Sequence, residues 1–253
     1  MVSRPAGDVD YARHGIGYAG HRRADPRIAS RILEALGTAR TVLNVGAGAG
    51  SYEPDDRAVV SVEPSDAMTA QRPTTPRRVV RAVAGALPLP DRAVDASMAT
   101  VTVHQWPDPI AGLCEMRRVT AGPVVVLTFD PDCLDRLWLA EYAPDVYRAE
   151  GARYPTIDTL VTALGGDAAV HPVPVPFDCT DGFTEAFYGR PEAFCDPGVR
   201  RSQSAWSFVD PVVEAGYAED LRRDLLSGRW DERYGHLRTR ATFDGALRLV
   251  VSA

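Results

Sequence analysis

The sequence predicts an α/β protein built on a doubly wound, mostly parallel sheet with a helical cap. Three observations carry this expectation. Short apolar runs recur at 41–45, 58–62, 79–83, 96–103 and 123–129, with helical or loop segments between them. The runs are near-continuously apolar rather than alternating, as strands are when helices cover both faces of a parallel sheet. The third is "TVLNVGAGAGSYE", residues 41–53, in which a strand runs straight into three alternating glycines.

In chain order, residues 1–24 are polar and glycine-rich, with Tyr11 and Tyr18 as aromatic punctuation. A helix follows: Asp25 can cap it, Pro26 suits its first turn, Ile28, Ile32, Leu33 and Leu36 share a face, and Gly37 ends it. After the first strands, Pro109 to Thr120 reads as a helix with Ile110, Leu113 and Val119 on one side. Beyond Asp130 the character changes. Leu134, Leu137, Trp138, Tyr142 and Tyr147 recur at roughly helical spacing over 132–150, and 156–165 reads as a short helix ending at Gly165-Gly166. A valine–proline strand spans Val170 to Phe177, and an aromatic-rich helical region runs through Trp206 and Trp230. Asp244-Gly245 then turns the chain into a last strand, Leu247 to Val251. With no internal repeat and no dividing linker, residues 1–253 read as one domain.

Composition bounds the function. Apolar residues make up 45% and charged residues 25%, the ordinary soluble globular range. A net charge of −6 makes the protein as a whole a poor partner for nucleic acid or an anionic membrane. All 28 basic residues are arginine, which reads as codon usage in a GC-rich genome. Cys114, Cys133, Cys179 and Cys195 form no CxxC pair, and the five histidines show no ligand spacing, so no metal site is assigned. No apolar run approaches membrane-spanning length, and a cytoplasmic location is expected.

The glycine loop carries the chemistry. Gly46, Gly48 and Gly50 allow positive φ and present no Cβ to a ligand. Glu63 ends the next strand, "AVVSVE", where a carboxylate can accept both hydroxyls of a ribose. Ligands of open α/β sheets lie outside the carboxyl ends of the strands. A dinucleotide fingerprint needs G-x-G-x-x-G/A, but Ser51 stands at its third small position and the spacing is G-x-G-x-G. That spacing suits a compact sulfonium nucleoside without phosphates. The sequence contains no lysine, which excludes a Walker-type phosphate loop.

"VLNVGAGAGSYE", "VSVEPSDAM", "AVAGALPLPDRAVDASMATVTVHQW" and "RRVTAGPVVVLTFDP" occur in the order seen in class I S-adenosylmethionine-dependent methyltransferases. The chain resembles their small-molecule branch, similar to the ubiquinone/menaquinone-biosynthesis methyltransferases, closely over residues 11–130 and in outline beyond. The resemblance implies a Rossmann-like sheet of seven strands with the last antiparallel. It divides the chain into a cofactor-covering segment (1–24), a cofactor-binding half (25–130) and a substrate-side half (131–253). It implies S-adenosyl-L-methionine as cofactor, with its methionine part along Gly46, Ala47 and Gly48 and its ribose on Glu63. Pro64 and Met68 would follow against the adenine, and Gly85, Ala86 and Leu87 would flank its other side, their backbone reading its edge. Thr100 and Val101 would lie near the methionine chain or the transferable methyl, and Tyr11, Tyr18 and Arg22 would close over the cofactor. The family usually carries aspartate where this chain has Asn44, which keeps the hydrogen-bonding reach but loses the charge that helps hold the cofactor's ammonium.

Two groups of residues have alternative readings. His104, in "TVHQW", is a candidate base for a substrate proton or a structural histidine anchoring the turn. Trp138, Tyr142, Tyr147, Phe187, Tyr188 and Trp206 either pack the core or, as a group, line an apolar acceptor pocket. The leading expectation is methyl transfer to an oxygen, nitrogen or carbon of a small aromatic or apolar metabolite, in natural-product tailoring, by a monomer or homodimer. The rivals are a non-methylating homologue that binds the cofactor or rearranges a substrate, and a nicotinamide-dependent oxidoreductase.

Overall fold

The computed structural model describes residues 22–72 and 78–253. Its strands are β1 (Thr41–Val45), β2 (Ala58–Val62), β3 (Arg78–Val80), β4 (Ala96–Thr100), β5 (Val124–Phe129), β6 (Ala169–Pro172), β7 (Val175–Pro176), β8 (Thr242–Phe243) and β9 (Leu247–Ser252). Seven of them form one sheet in the order β3-β2-β1-β4-β5-β9-β6, while β7 and β8 pair separately. Strands β1 to β5 are mutually parallel, and β9 runs antiparallel to both β5 and β6. The expected seven-stranded sheet with an antiparallel last strand is therefore present.

Continuous apolar strands follow from burial on both faces. From β1 and β5, Val42, Val125 and Leu127 join one core with Ile28, Ile32 and Leu36 of α1 (Pro26–Leu36). Leu43, Val45, Val124 and Val126 join the other. Two helices cover that second face. They are α3 (Pro109–Val119), through Leu113, Met116 and Val119, and α6 (Ile157–Ala163), through Leu160. Between β2 and β3 lies the single turn α2 (Asp66–Thr69). The cap adds α4 (Leu139–Tyr142), α5 (Pro144–Arg153), α7 (Pro197–Arg201), α8 (Pro211–Ser227) and α9 (Arg229–Tyr234). Four helices start at an Asp-Pro pair. Asp25, Asp108, Asp196 and Asp210 each accept a hydrogen bond from a first-turn N–H, and the proline that follows fixes φ at no cost in donors.

Three elements differ from the sequence reading, each for a backbone reason. The helix expected over 132–150 is a 3₁₀ segment (Pro131–Arg136) followed by α4 and α5. Pro144 lacks the N–H that would continue α4, and Ala143 leaves helical geometry at φ −127°, ψ 60°. The strand expected over Val170 to Phe177 splits at Pro174, so that β6 pairs with β9 and β7 with β8. The strand expected over 96–103 stops at Thr100 because Val101 takes φ +49°.

The β1–β2 connection, residues 46–57, contains no helix. A buried polar network holds it instead. The Glu53 carboxylate accepts from the Asn44 amide at 3.0 Å, the Ser61 hydroxyl at 2.6 Å and the Arg72 guanidinium at 2.6 Å. Arg72 also donates to the Gly48 carbonyl at 3.2 Å. Asn44 and Ser61 are fully buried, and the Glu53 and Arg72 side chains are 1% and 7% exposed. Burial alone would raise the Glu53 pKa, but hydrogen bonds from Arg72, Ser61 and Asn44 outweigh it and hold the group below the usual carboxylate range.

Removing one partner of such a pair leaves a buried charge uncompensated. Arg72→Met should cost about 3–5 kcal/mol in urea unfolding, with most of that loss recovered in the Arg72→Met, Glu53→Gln double variant. A loss below about 1 kcal/mol in the single variant would show that the network does not hold the loop.

Candidate functional site

The glycine loop leaves β1 with Gly46, Gly48 and Gly50 at φ +68°, +50° and +88°. What fills the space a side chain would take is protein. An added Cβ would lie 2.3 Å from the Thr102 hydroxyl at Gly46, 3.3 Å from the Met68 methyl at Gly48 and 3.1 Å from the Arg72 guanidinium at Gly50. The glycines are thus required by backbone geometry and by tight internal packing, not by a ligand alone. The N–H groups of Gly46 and Ala47 both donate to the Val62 carbonyl, at 2.9 and 3.0 Å, which draws the loop over the end of β2.

Glu63 leaves that same end and turns back onto the loop. One carboxylate oxygen accepts from the Gly48 N–H and the other from the Ser65 N–H, both at 2.8 Å. The side chain is largely buried, and burial raises its pKa against the lowering effect of those two N–H groups. Each carboxylate oxygen has a further lone-pair direction, so two more donors can be accepted there. Pro64 follows at the rim, and Met68, buried in α2, lies against Gly48. The Oδ1 atom of Asn44 is buried without a partner among the described residues.

Other expected contacts fare differently. Gly85 and Ala86 are exposed next to buried Leu87. The Ala86 N–H donates to the Val83 carbonyl at 3.1 Å and the Leu87 N–H to Glu115 at 3.0 Å, so these two donors are engaged within the protein rather than free to read an adenine edge. Arg22 donates through Nε to Asp181 at 2.5 Å. Asp181 also accepts from Tyr52 at 2.9 Å, so that one carboxylate gathers Arg22 and Tyr52. Tyr11 and Tyr18 lie outside the described residues.

Past the end of β4 the chain borders a partly open cleft. Thr100 is the last residue of β4. Val101, which borders the cleft, holds its left-handed φ while its N–H donates to the Leu127 carbonyl at 2.8 Å. A β-branched residue in that region is strained, and such strain collects at functional sites. His104 lines the same cleft, with its ring tilted 31° against Tyr154 at 4.2 Å between centroids. Burial, reinforced by the nearby Arg153 and Arg22 charges, pushes its pKa well below the usual histidine value, so the imidazole is neutral near pH 7. Its Nδ1 is buried without a partner among the described residues.

The aromatic residues expected as pocket lining mostly are not. Trp138, Tyr188 and Trp206 are core, packed with Phe194 and Trp230. Trp138 meets Trp230 at 5.4 Å and donates its indole N–H to the Tyr188 carbonyl at 2.8 Å. Only Tyr147 of the six reaches the cleft. The walls come instead from Phe129, Leu134, Val146, Tyr154 and Phe183, with Glu185 and Gln203 among the polar groups. Sequence reasoning missed Glu185, although a lone carboxylate within "GFTEAFYG" was a readable signal. Gln203 and Tyr154 carry no such mark.

Residues 43–123 match a methyltransferase domain family. No curated protein matches the sequence. Among solved structures, a putative methyltransferase from an antibiotic biosynthesis pathway of Anabaena variabilis is 27% identical. It covers 92% of this chain and 99% of its own, with a TM-score of 0.86. The [4+2]-cyclase SpnF is 14% identical over 95% of this chain and 92% of its own, at a TM-score of 0.54. A putative sarcosine dimethylglycine methyltransferase from Galdieria sulphuraria is 13% identical over 90% and 83%, also at 0.54. The last two share the fold. The seven-stranded sheet is the class I methyltransferase fold.

Burial raises the Glu185 carboxyl from the usual 4.5 to about 7, against the lowering effect of the Ala246 N–H. The fold therefore favours the protonated form, so this contribution to stability is present below about pH 4.5 and is lost as pH rises through about 7. Stability measured against the Glu185→Gln variant, which keeps an acceptor for Ala246, should fall as pH is raised from about 5 to about 8. A pH-independent difference would contradict this burial.

Proposed function

We propose that this chain, an S-adenosylmethionine-dependent methyltransferase of the class I fold, methylates an oxygen, nitrogen or carbon atom of a small, largely apolar or aromatic metabolite. The observation that carries the reading is the arrangement at the carboxyl ends of β1, β2 and β4. A glycine loop and a buried acceptor carboxylate, Glu63, lie on one side of that edge, and a cleft with apolar walls opens past β4. An oxidoreductase reading finds no support here, because no helix follows the glycine loop to offer its N-terminus to a pyrophosphate.

The residues present fit the cofactor. Glu63 would accept the ribose hydroxyls, Gly46–Gly50 would lie along the methionine part, and Pro64 and Met68 would border the adenine. Asn44 Oδ1, unpartnered among the described residues, would accept from an ammonium group. When bound, S-adenosylmethionine supplies an electrophilic methyl on a sulfonium. The protein's part is mainly alignment: the strained turn at Val101 and the aromatic walls hold the acceptor atom in line. His104, neutral and with Nδ1 unpartnered among the described residues, would accept the proton from an acceptor hydroxyl. The Anabaena protein's place in an antibiotic biosynthesis pathway supports a role in natural-product tailoring.

Glu63→Ala should weaken S-adenosylhomocysteine binding at least about tenfold in calorimetry, since a buried carboxylate accepting two hydroxyls is lost. Wild-type affinity in that variant would overturn the cofactor assignment. With a panel of aromatic acceptors, mass spectrometry should show the gain of one methyl group. His104→Gln should lower kcat by about a hundredfold if the histidine takes the proton.

A further inference from the structure

The cleft has apolar walls, yet four buried polar atoms of its lining lack partners among the described residues. They are His104 Nδ1, described above, and the Tyr147 hydroxyl, Glu185 Oε2 and Gln203 Nε2. Buried polar groups are nearly always hydrogen-bonded, so four orphans on one cavity require an explanation. Glu185 and Gln203 are each held in place by the other end of the side-chain head. The Ala246 N–H donates to Glu185 Oε1 at 2.6 Å, and the Thr184 hydroxyl donates to Gln203 Oε1. The carboxylate also occupies the space a side chain on Gly245 would take, where a Cβ would lie 2.2 Å from Oε1. When Glu185 is ionised, its Oε2 is an unpartnered acceptor and Gln203 Nε2 an unpartnered N–H donor, both on residues that line the cleft, with the Tyr147 phenol in electrostatic reach of Glu185.

We infer that this wall of the cleft is a hydroxyl-binding subsite, and that the acceptor molecule is an aromatic alcohol or phenol whose hydroxyl donates to Glu185 and accepts from Gln203. The inference rests on the acceptor-cleft reading above and names the substrate class. A hydroxyl is one donor with two acceptor lone pairs, which matches this pair of groups. An ether or ketone would face the Glu185 oxygen without a proton to give. An ammonium would leave the Gln203 N–H unmet. The ring belongs among Phe129, Tyr154 and Phe183, where Phe129 meets Tyr154 at 5.8 Å and Phe183 at 5.5 Å, both edge to face. The two ends of the cleft then divide the work. Glu185 and Gln203, from the substrate-side half, fix the hydroxyl, while Val101 and His104, past β4, face the atom to be methylated.

The test titrates 2-naphthol, 2-methoxynaphthalene and naphthalene by fluorescence, with and without S-adenosylhomocysteine, at a pH that ionises Glu185. Wild type should bind 2-naphthol about tenfold more tightly than either of the others. Glu185→Gln and Gln203→Met should each reduce that preference to about twofold, with naphthalene affinity kept as proof of an intact cleft. No binding of any probe, no preference for 2-naphthol in wild type, or a preference that survives both substitutions would overturn the inference. Thermal stabilisation by S-adenosylhomocysteine, measured on the same samples, reads the cofactor assignment separately. Loss of the hydroxyl preference with that stabilisation intact therefore sinks this subsite alone.

Discussion

A buried ion pair, Glu53 with Arg72, is the constraint on which the cofactor end of this protein depends. Parallel strands are usually joined through a helix, and residues 46–57 join β1 to β2 without one. The loop's shape must then come from side chains. Arg72 reaches the Gly48 carbonyl while Glu53 gathers Asn44 and Ser61, so the loop, both strands and the segment after α2 are cross-linked by one polar cluster. Taking two charges out of water is costly, and only a fully hydrogen-bonded geometry repays it. The cluster also explains Asn44. An aspartate at that position would set a second carboxylate 3.0 Å from Glu53, where like charges repel, whereas the amide donates to it.

With the loop held this way, Glu63 can hang from the Gly48 and Ser65 N–H groups and still offer lone pairs outward. A parallel sheet places this carboxylate and the Val101 turn along the same carboxyl edge. The cap completes the site by a division of labour among aromatics. Trp138, Phe194, Trp206 and Trp230 form a dry core that fixes the cap elements against one another. Phe129, Tyr154 and Phe183 face the cleft. Asp181 then joins Arg22 and Tyr52.

The fold was largely legible because its signals are local. Asp-Pro caps, glycines at positive φ and unbroken apolar strands each act within a few residues, and β1 and β2 fall on the residues expected of them. The misreadings arise where one backbone atom overrides periodicity: the missing N–H of Pro144 and Pro174, and the turned φ of Val101. The cleft was harder to read. Trp138 and Tyr154 are both aromatic and both follow β5, and only tertiary packing decides which becomes core and which becomes wall. Likewise the Glu53–Arg72 partnership spans nineteen positions with no motif to announce it. The glycine loop shows the converse case. Its pattern was read as room for a ligand, and Thr102, Met68 and Arg72 also pack where side chains on those glycines would lie.

The central claim is that a phosphate-free adenosyl compound lies on the Gly46–Gly50 bend with its sugar on Glu63. A crystal structure with S-adenosylhomocysteine tests it most directly. The account predicts both ribose hydroxyls within hydrogen-bond distance of the Glu63 carboxylate and the thioether sulfur turned towards Val101 and His104. A ligand bound elsewhere, or bound at the loop with Glu63 still engaged only by Gly48 and Ser65, would contradict it.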